Sequence, residues 1–199
     1  MRRITPIRLQ SGHRIGHGEP CFVVAEIGNN HQGDVMLARE MVRAAARAGV
    51  QAVKFQKRDT ESLFTRAGRE APYTGPNSFG PTYGEHRDAL ELSFEDMIEL
   101  KTLAESLGLV FFASAWDLVS LRQMAVLGVE LHKICSADLV NVPLLRQVGS
   151  LGQPVILSTG MSDLADVDLA LTELRRFHND IVILHCNASY PCPEDEIGL

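Results

Sequence analysis

Residues 110–136 read VFFASAWDLVSLRQMAVLGVELHKICS. Positions 110–114 are apolar up to Ser114 and read as a buried strand, 117–127 fit a helix, and 131–135 form a second short strand followed by Ser136. The same alternation extends both ways. Strand-like runs rich in Val, Ile, Leu or Phe lie at 21–27, 52–56, 155–158 and 181–185, and helical patterns at 34–48, 94–107, 141–150 and 163–176. SFED at 93–96 reads as a capping box: Ser93 accepts an N3 amide and Asp96 reaches back to the cap. Phe94, Met97, Leu100, Ala104 and Leu107 then recur at helical spacing until Gly108. Leu164, Val167, Leu171 and Leu174 share a face of the last helix, with Arg175 and Arg176 at its negative end.

Six strands alternating with five helices demand a parallel sheet covered by helices. Alternation alone does not separate an open doubly wound sheet from a closed barrel. Polar residues near the strands' C-terminal ends (Glu26, Lys54, Gln56, Ser114, Lys133, Ser136, Ser158, His185) suit a barrel mouth better. Residues 1–20 read as a small β-hairpin around Ser11-Gly12, plugging the barrel's other end. The long connection 57–92, with PYTGPNSFGPTYGEH at 72–86, reads as an ordered functional loop.

The 199 residues carry 19 Lys+Arg against 25 Asp+Glu, a formal charge of −6, with 45% hydrophobic residues. That excludes a disordered polyampholyte, and the acid excess argues against a nucleic-acid partner held by phosphate neutralisation. The longest mainly apolar stretch, 107–116, is too short and mixed to span a bilayer. The first 20 residues lack the apolar core of a secretory signal. Cys21, Cys135, Cys186 and Cys192 follow no scaffold-like spacing and read as reduced thiols of a cytoplasmic protein.

On a strand, Lys54 and Gln56 share one face while Val53 and Phe55 share the other. An ammonium and an amide facing a barrel interior call for an anion or polar ligand, because an unpaired buried ammonium is costly. The alternative is a lysine satisfied by a carboxylate such as Glu26. Lys133 repeats the arrangement, and two lysines with Ser114, Ser136 and Ser158 would cradle a phosphate or carboxylate. GNNHQG at 28–33 reads as an N-capping turn; Asp34 stands where a P-loop needs Lys, which discards nucleotide binding. Asp138 reads as either a helix cap or an acceptor for a sugar hydroxyl. His178, His185, Cys186 and Cys192 match no zinc spacing. No Gly-x-Ser-x-Gly elbow is present, which argues against a serine hydrolase.

Five segments, VAEIGNNHQGD at 24–34, AVKFQ at 52–56, KICSAD at 133–138, LSTGM at 157–161 and HCNASYP at 185–191, together resemble the N-acetylneuraminate (sialic acid) synthase family. Members condense phosphoenolpyruvate with an N-acylmannosamine-type sugar. The resemblance implies an α/β TIM-type (β/α)8 barrel. Because such barrels need about 250 residues, the chain reads as one truncated after its sixth strand: an N-terminal β-hairpin over 1–20 and an incomplete barrel over 21–199. The last two βα units and any antifreeze-like domain would be absent.

The resemblance also implies roles. Lys54, Ser114, Lys133, Ser136 and Ser158 would bind phosphoenolpyruvate. Glu26 and Asp138 would be the catalytic carboxylates, beside sugar-binding Gln56 and Tyr190. A divalent metal, usually manganese (Mn2+), would polarise the sugar aldehyde, but the family's histidine ligands belong to strands beyond residue 199 and none is assigned here. The complete enzyme is expected to be a cytoplasmic homodimer acting on phosphoenolpyruvate and an N-acylmannosamine-type sugar, with no nucleic acid or membrane partner. Asp138 stands where relatives often have Glu, and Ala188 where they often have Ser or Asn. The 72–86 loop resembles members acting on N-acetylmannosamine 6-phosphate, with Lys57, Arg58, Arg66 and Arg87 either receiving that phosphate or forming a solvated basic face. Competing readings are a legionaminic or pseudaminic acid synthase, a Schiff-base aldolase using Lys54 or Lys133, and a non-catalytic fragment.

Overall fold

The computed structural model describes residues 5–198, and the chain divides into two compact units, one up to Val129 and one from Glu130. The first unit opens with β1 (Ile7–Arg8) and β2 (Arg14–Ile15), an antiparallel pair. The Leu9 N–H donates to the His13 carbonyl at 2.8 Å to close their turn. The expected hairpin is therefore present as two very short strands; residues 1–4 of that segment lie outside the described residues. There follow β3 (Val24–Gly28), α1 (Val35–Arg47), β4 (Ala52–Lys57), α2 (Thr60–Leu63), α3 (Arg66–Glu70), α4 (Tyr83–Ala89), α5 (Phe94–Ser106), β5 (Val110–Ala115) and α6 (Leu118–Leu127). The second unit comprises β6 (His132–Ile134), a 3-10 turn at Ser136–Asp138, α7 (Val142–Ser150), β7 (Val155–Ser158), α8 (Leu164–Leu174), β8 (Ile181–Leu184) and a last 3-10 turn at Glu194–Glu196.

Within the first unit β3, β4 and β5 are parallel neighbours, and within the second β6, β7 and β8 are. Parallel pairing joined by helical crossovers is what the alternation required. The Ser93–Asp96 capping box forms, with both of its hydrogen bonds. Most ends shift by no more than a single residue, and three differences from expectation are larger. β3 begins at Val24 rather than 21, although the Val23 N–H donates to the Gln51 side chain at 2.8 Å. α8 ends at Leu174, because Arg175 is its C-cap. The 57–92 connection folds into three short helices, each with its own N-cap at Asp59, Thr65 or Thr82. Helices of four to seven residues carry no readable hydrophobic period, so the sequence reads as a loop there.

In the first unit Ala52, Lys54 and Gln56 take one face of β4, and Val53, Phe55 and Lys57 the other. Phe55 stacks on Phe111 with centroids 5.3 Å apart, and α1 and α5 bury Ala38, Val42, Met97, Leu100 and Ala104 as they pack on the strands and each other. In the second unit α7 and α8 pack together, burying Leu144, Leu145, Val148, Ala170 and Leu174. Each large side chain removed from water in these layers contributes about 1.5–3 kcal/mol. Among the described residues no helix is long and apolar enough to cross a membrane.

The turn after β3 is held to the end of α4. Gly33 has φ +81°, and a Cβ there would lie 2.2 Å from the Ala89 carbonyl oxygen. Gly128, the left-handed C-cap of α6, has φ +70° with nothing within 4 Å of a Cβ. Gly33→Ala is therefore expected to destabilise the chain by about 3 kcal/mol or more, from left-handed strain plus overlap, and Gly128→Ala by only about 1 kcal/mol. Urea denaturation of both variants measures the difference; equal losses would show that the turn yields freely.

Candidate active site

The parallel register in the first unit places Lys54 opposite Glu26 on one side and Phe112 on the other. Ser114 lies two residues beyond Phe112, on the same face, and its hydroxyl is 2.9 Å from the Lys54 ammonium. The ammonium also donates to the Phe55 carbonyl at 3.3 Å and pairs with Glu26 Oε2 at 2.9 Å. Glu26 thus satisfies the buried lysine, as the simpler reading asked. The Glu26 side chain is still 47% exposed.

The second unit repeats this geometry. Lys133 stands opposite Ile156, and Ser158, two residues further along, meets its ammonium at 2.6 Å. Lys133 also donates to the Ile134 carbonyl at 2.6 Å. The Ser136 hydroxyl oxygen accepts the Gly160 N–H at 3.0 Å, which leaves its O–H to donate. Tyr190 is 98% exposed, and with His185, Asn187 and Pro191 it lines a cavity of about 440 Å³ within this unit.

Asp138 is buried, and both its oxygens hold partners: the Cys135 thiol donates to Oδ2 at 3.0 Å and the Asn141 amide to Oδ1 at 3.1 Å. The cap of α7 is Asn141, whose side chain accepts the Leu144 N–H, so the helix-cap reading of Asp138 is corrected. Asp138 holds the cap instead of being it. Burial, followed by the negative charge of Asp138, pushes the Cys135 thiol up to about 12, so this cysteine stays protonated.

Two of the four basic residues named for a sugar phosphate, Lys57 and Arg58, depart from both readings, whereas Arg66 is solvent-exposed. Lys57 and Arg58 are buried and share Glu91: Lys57 Nζ lies 3.3 Å from Oε2, Arg58 Nη1 3.2 Å from Oε1, and the Arg58 main-chain N–H donates to Oε2 at 3.0 Å. They form neither a solvated face nor an open phosphate receiver. Arg87 donates to the Tyr83 hydroxyl at 2.8 Å, and Arg66 is an exposed partner of Glu70. Glu91 escaped sequence reasoning because it is 33 residues from Arg58. The available signal was the adjacency of two cations, Lys57 and Arg58, at a strand end. Among the described residues no group of three or more His, Cys, Asp or Glu side chains is placed to hold a metal ion.

An α/β chain whose parallel strands end in lysine–serine pairs is thus defined by its fold and site. Residues 41–199 match the NeuB family, and the chain belongs to it. It is 35% identical over 193 residues to the N-acetylneuraminate-9-phosphate synthase of Homo sapiens, covering 97% of this chain and 54% of that protein. It is 38% identical over 190 residues to the N,N'-diacetyllegionaminic acid synthase of Legionella pneumophila, covering 92% of this chain and 53% of that one. The chain therefore spans about half the length of these relatives. Among solved structures, the N-acetylneuraminic acid synthetase of Leptospira borgpetersenii, in complex with citrate, superposes with a TM-score of 0.84 at 30% identity. That match covers 98% of this chain and 63% of the other.

Two outcomes follow from the charges. Removing Glu91 strands two buried cations, so Glu91→Ala should cost about 3 kcal/mol or more in denaturant unfolding. Glu99→Ala, which breaks the exposed pair with Arg39, should cost less than about 1 kcal/mol. His132 is buried on β6, and desolvation lowers its pKa from 6.5 to about 4. The folded state holds it neutral while the unfolded state takes up a proton, so its contribution is complete above pH 6.5 and lost as the pH falls through about 4. The expected loss is about 3 kcal/mol. Unfolding titrations between those pH values should show a slope that His132→Gln flattens; an identical slope in the variant would contradict this.

Proposed function

We propose that this chain carries the phosphoenolpyruvate-binding part of a nonulosonic acid synthase, which joins phosphoenolpyruvate to N-acetylmannosamine or its 6-phosphate. The observation that carries the reading is the repeated lysine–serine pair, Lys54 with Ser114 at 2.9 Å and Lys133 with Ser158 at 2.6 Å. Each pair sets an ammonium and a hydroxyl near the C-terminal ends of parallel strands, where such folds take ligands. Each pair by itself suits an anionic group, such as the phosphate or the carboxylate of that substrate. Ser136 adds an O–H donor.

In this reaction carbon 3 of phosphoenolpyruvate attacks the sugar aldehyde carbon, and the aldehyde oxygen gains a proton. Carbon 2 acquires oxocarbenium character, and water adds there and loses a proton. Phosphate then leaves with its bridging oxygen as the C2–O bond breaks, while the new C2 hydroxyl becomes the keto group and its proton passes to the departing phosphate. The lysines offset the substrate's negative charge, and Glu26 and Asp138 carry the protons, with Gln56 and Tyr190 toward the sugar. The manganese or other divalent metal that the family resemblance implies finds no ligand set among the described residues, and none of these steps passes through it. The identity to the legionaminic acid synthase favours, as a second reading, a diacetamido sugar in place of N-acetylmannosamine. The same proposal makes the enzyme a cytoplasmic homodimer.

Lys54→Ala and Lys133→Ala should each weaken phosphoenolpyruvate binding by roughly 10- to 100-fold, the worth of a lost charge-assisted contact. Titration calorimetry measures it, and unchanged affinity would remove this reading. Borohydride treatment with pyruvate should leave both lysines unmodified; an adduct on either would favour the aldolase.

A further inference from the structure

Gln56 sits on the same face of β4 as Lys54, and its amide can present either an oxygen or an NH2 group to a ligand. Arg58 settles which. A guanidinium has only donors, and Arg58 Nη2 donates to Gln56 Oε1. The amide oxygen is thereby occupied and Nε2 is turned away from it. Nε2 borders the side-chain-free surface of Gly28, 3.5 Å from where a Cβ would stand, and Glu26 Oε1 borders the same point at 3.2 Å. The other Glu26 oxygen is held by Lys54. A donor and an acceptor therefore flank one small gap, the pairing that a hydroxyl group satisfies, since it both donates and accepts.

Arg58 is well fixed for this task. Its side chain is 5% exposed, its guanidinium carbon lies 4.3 Å from the centroid of the Trp116 ring, and Glu91 grips both its Nη1 and its main-chain N–H. Resting on the reading of Gln56 as sugar-facing, we propose that Arg58 is a positioning residue: clamped by Glu91 and Trp116, it locks the Gln56 amide with NH2 toward Glu26, so that the pair recognises a sugar hydroxyl. Arg58 acts through Gln56 and touches no substrate itself.

The test is a double-mutant cycle in the full-length protein with phosphoenolpyruvate and N-acetylmannosamine. Arg58→Lys keeps a positive charge beside Glu91 but loses the planar fork. It should raise KM for the sugar by about 10-fold and move KM for phosphoenolpyruvate by less than about 2-fold. In a Gln56→Ala background the same change should move the sugar KM by less than about 2-fold, because the group it positions is gone. An equal effect in both backgrounds, or none in either, would overturn the proposal. If the wild-type protein releases no phosphate from these substrates, the synthase reading falls, and the positioning role is then decided by the Gln56 side-chain NH2 signal in 15N NMR. A distinct signal that shifts to the solvent-averaged position in Arg58→Lys supports the lock, and an unchanged signal overturns it.

Discussion

A lysine ammonium in the interior of a parallel sheet is the constraint on which the candidate site depends. Its three N–H groups must meet acceptors, since an unsatisfied buried cation costs several kcal/mol. Lys54 finds a serine hydroxyl, a carbonyl and a carboxylate. The solution is set by register: the serine lies two residues beyond the residue paired with the lysine, for Lys54 and Ser114 as for Lys133 and Ser158. Side chains alternate across a strand, so a slip of one residue would send Lys54 to the face that Phe55 now occupies and Phe55 to the polar one. The hydrophobic face thus guards the register that the polar face uses.

The second device is Glu91. It lies at the end of the long connection after β4 and binds two cations that begin it, Lys57 and Arg58. This closes the connection on itself. With Thr60, Arg69 and Asp88 bonded among themselves further along, it explains why a segment dense in Gly and Pro is ordered. The Lys57 and Arg58 charges that looked available for a phosphate are consumed in building the loop. Electrostatics here serves architecture first, and through Arg58 it reaches Gln56.

Asp138 shows a related economy in the second unit. Its carboxylate ties the end of β6, through Cys135, to the cap of α7, through Asn141. A substrate hydroxyl approaching Asp138 would meet a carboxylate already oriented by two donors. The short Asp138 side chain is thus held in place by its neighbours.

The six strands, their parallel pairing and the five long helices were legible in the sequence because they depend on local periodicity: apolar runs of a strand's length, three- and four-residue steps, and a cap such as Ser93 read within a turn of chain. The lysines and serines of the site were legible too, since each sits in the polar end of such a run. Tertiary structure decided which groups meet. Glu91 reaching Arg58, Asn141 taking the cap that Asp138 was a candidate for, and Arg58 choosing the face of the Gln56 amide depend on directions in space between residues up to 33 positions apart. Hydrogen bonds are short-ranged and directional, so composition and spacing name the donors and acceptors, and only the folded backbone selects their partners.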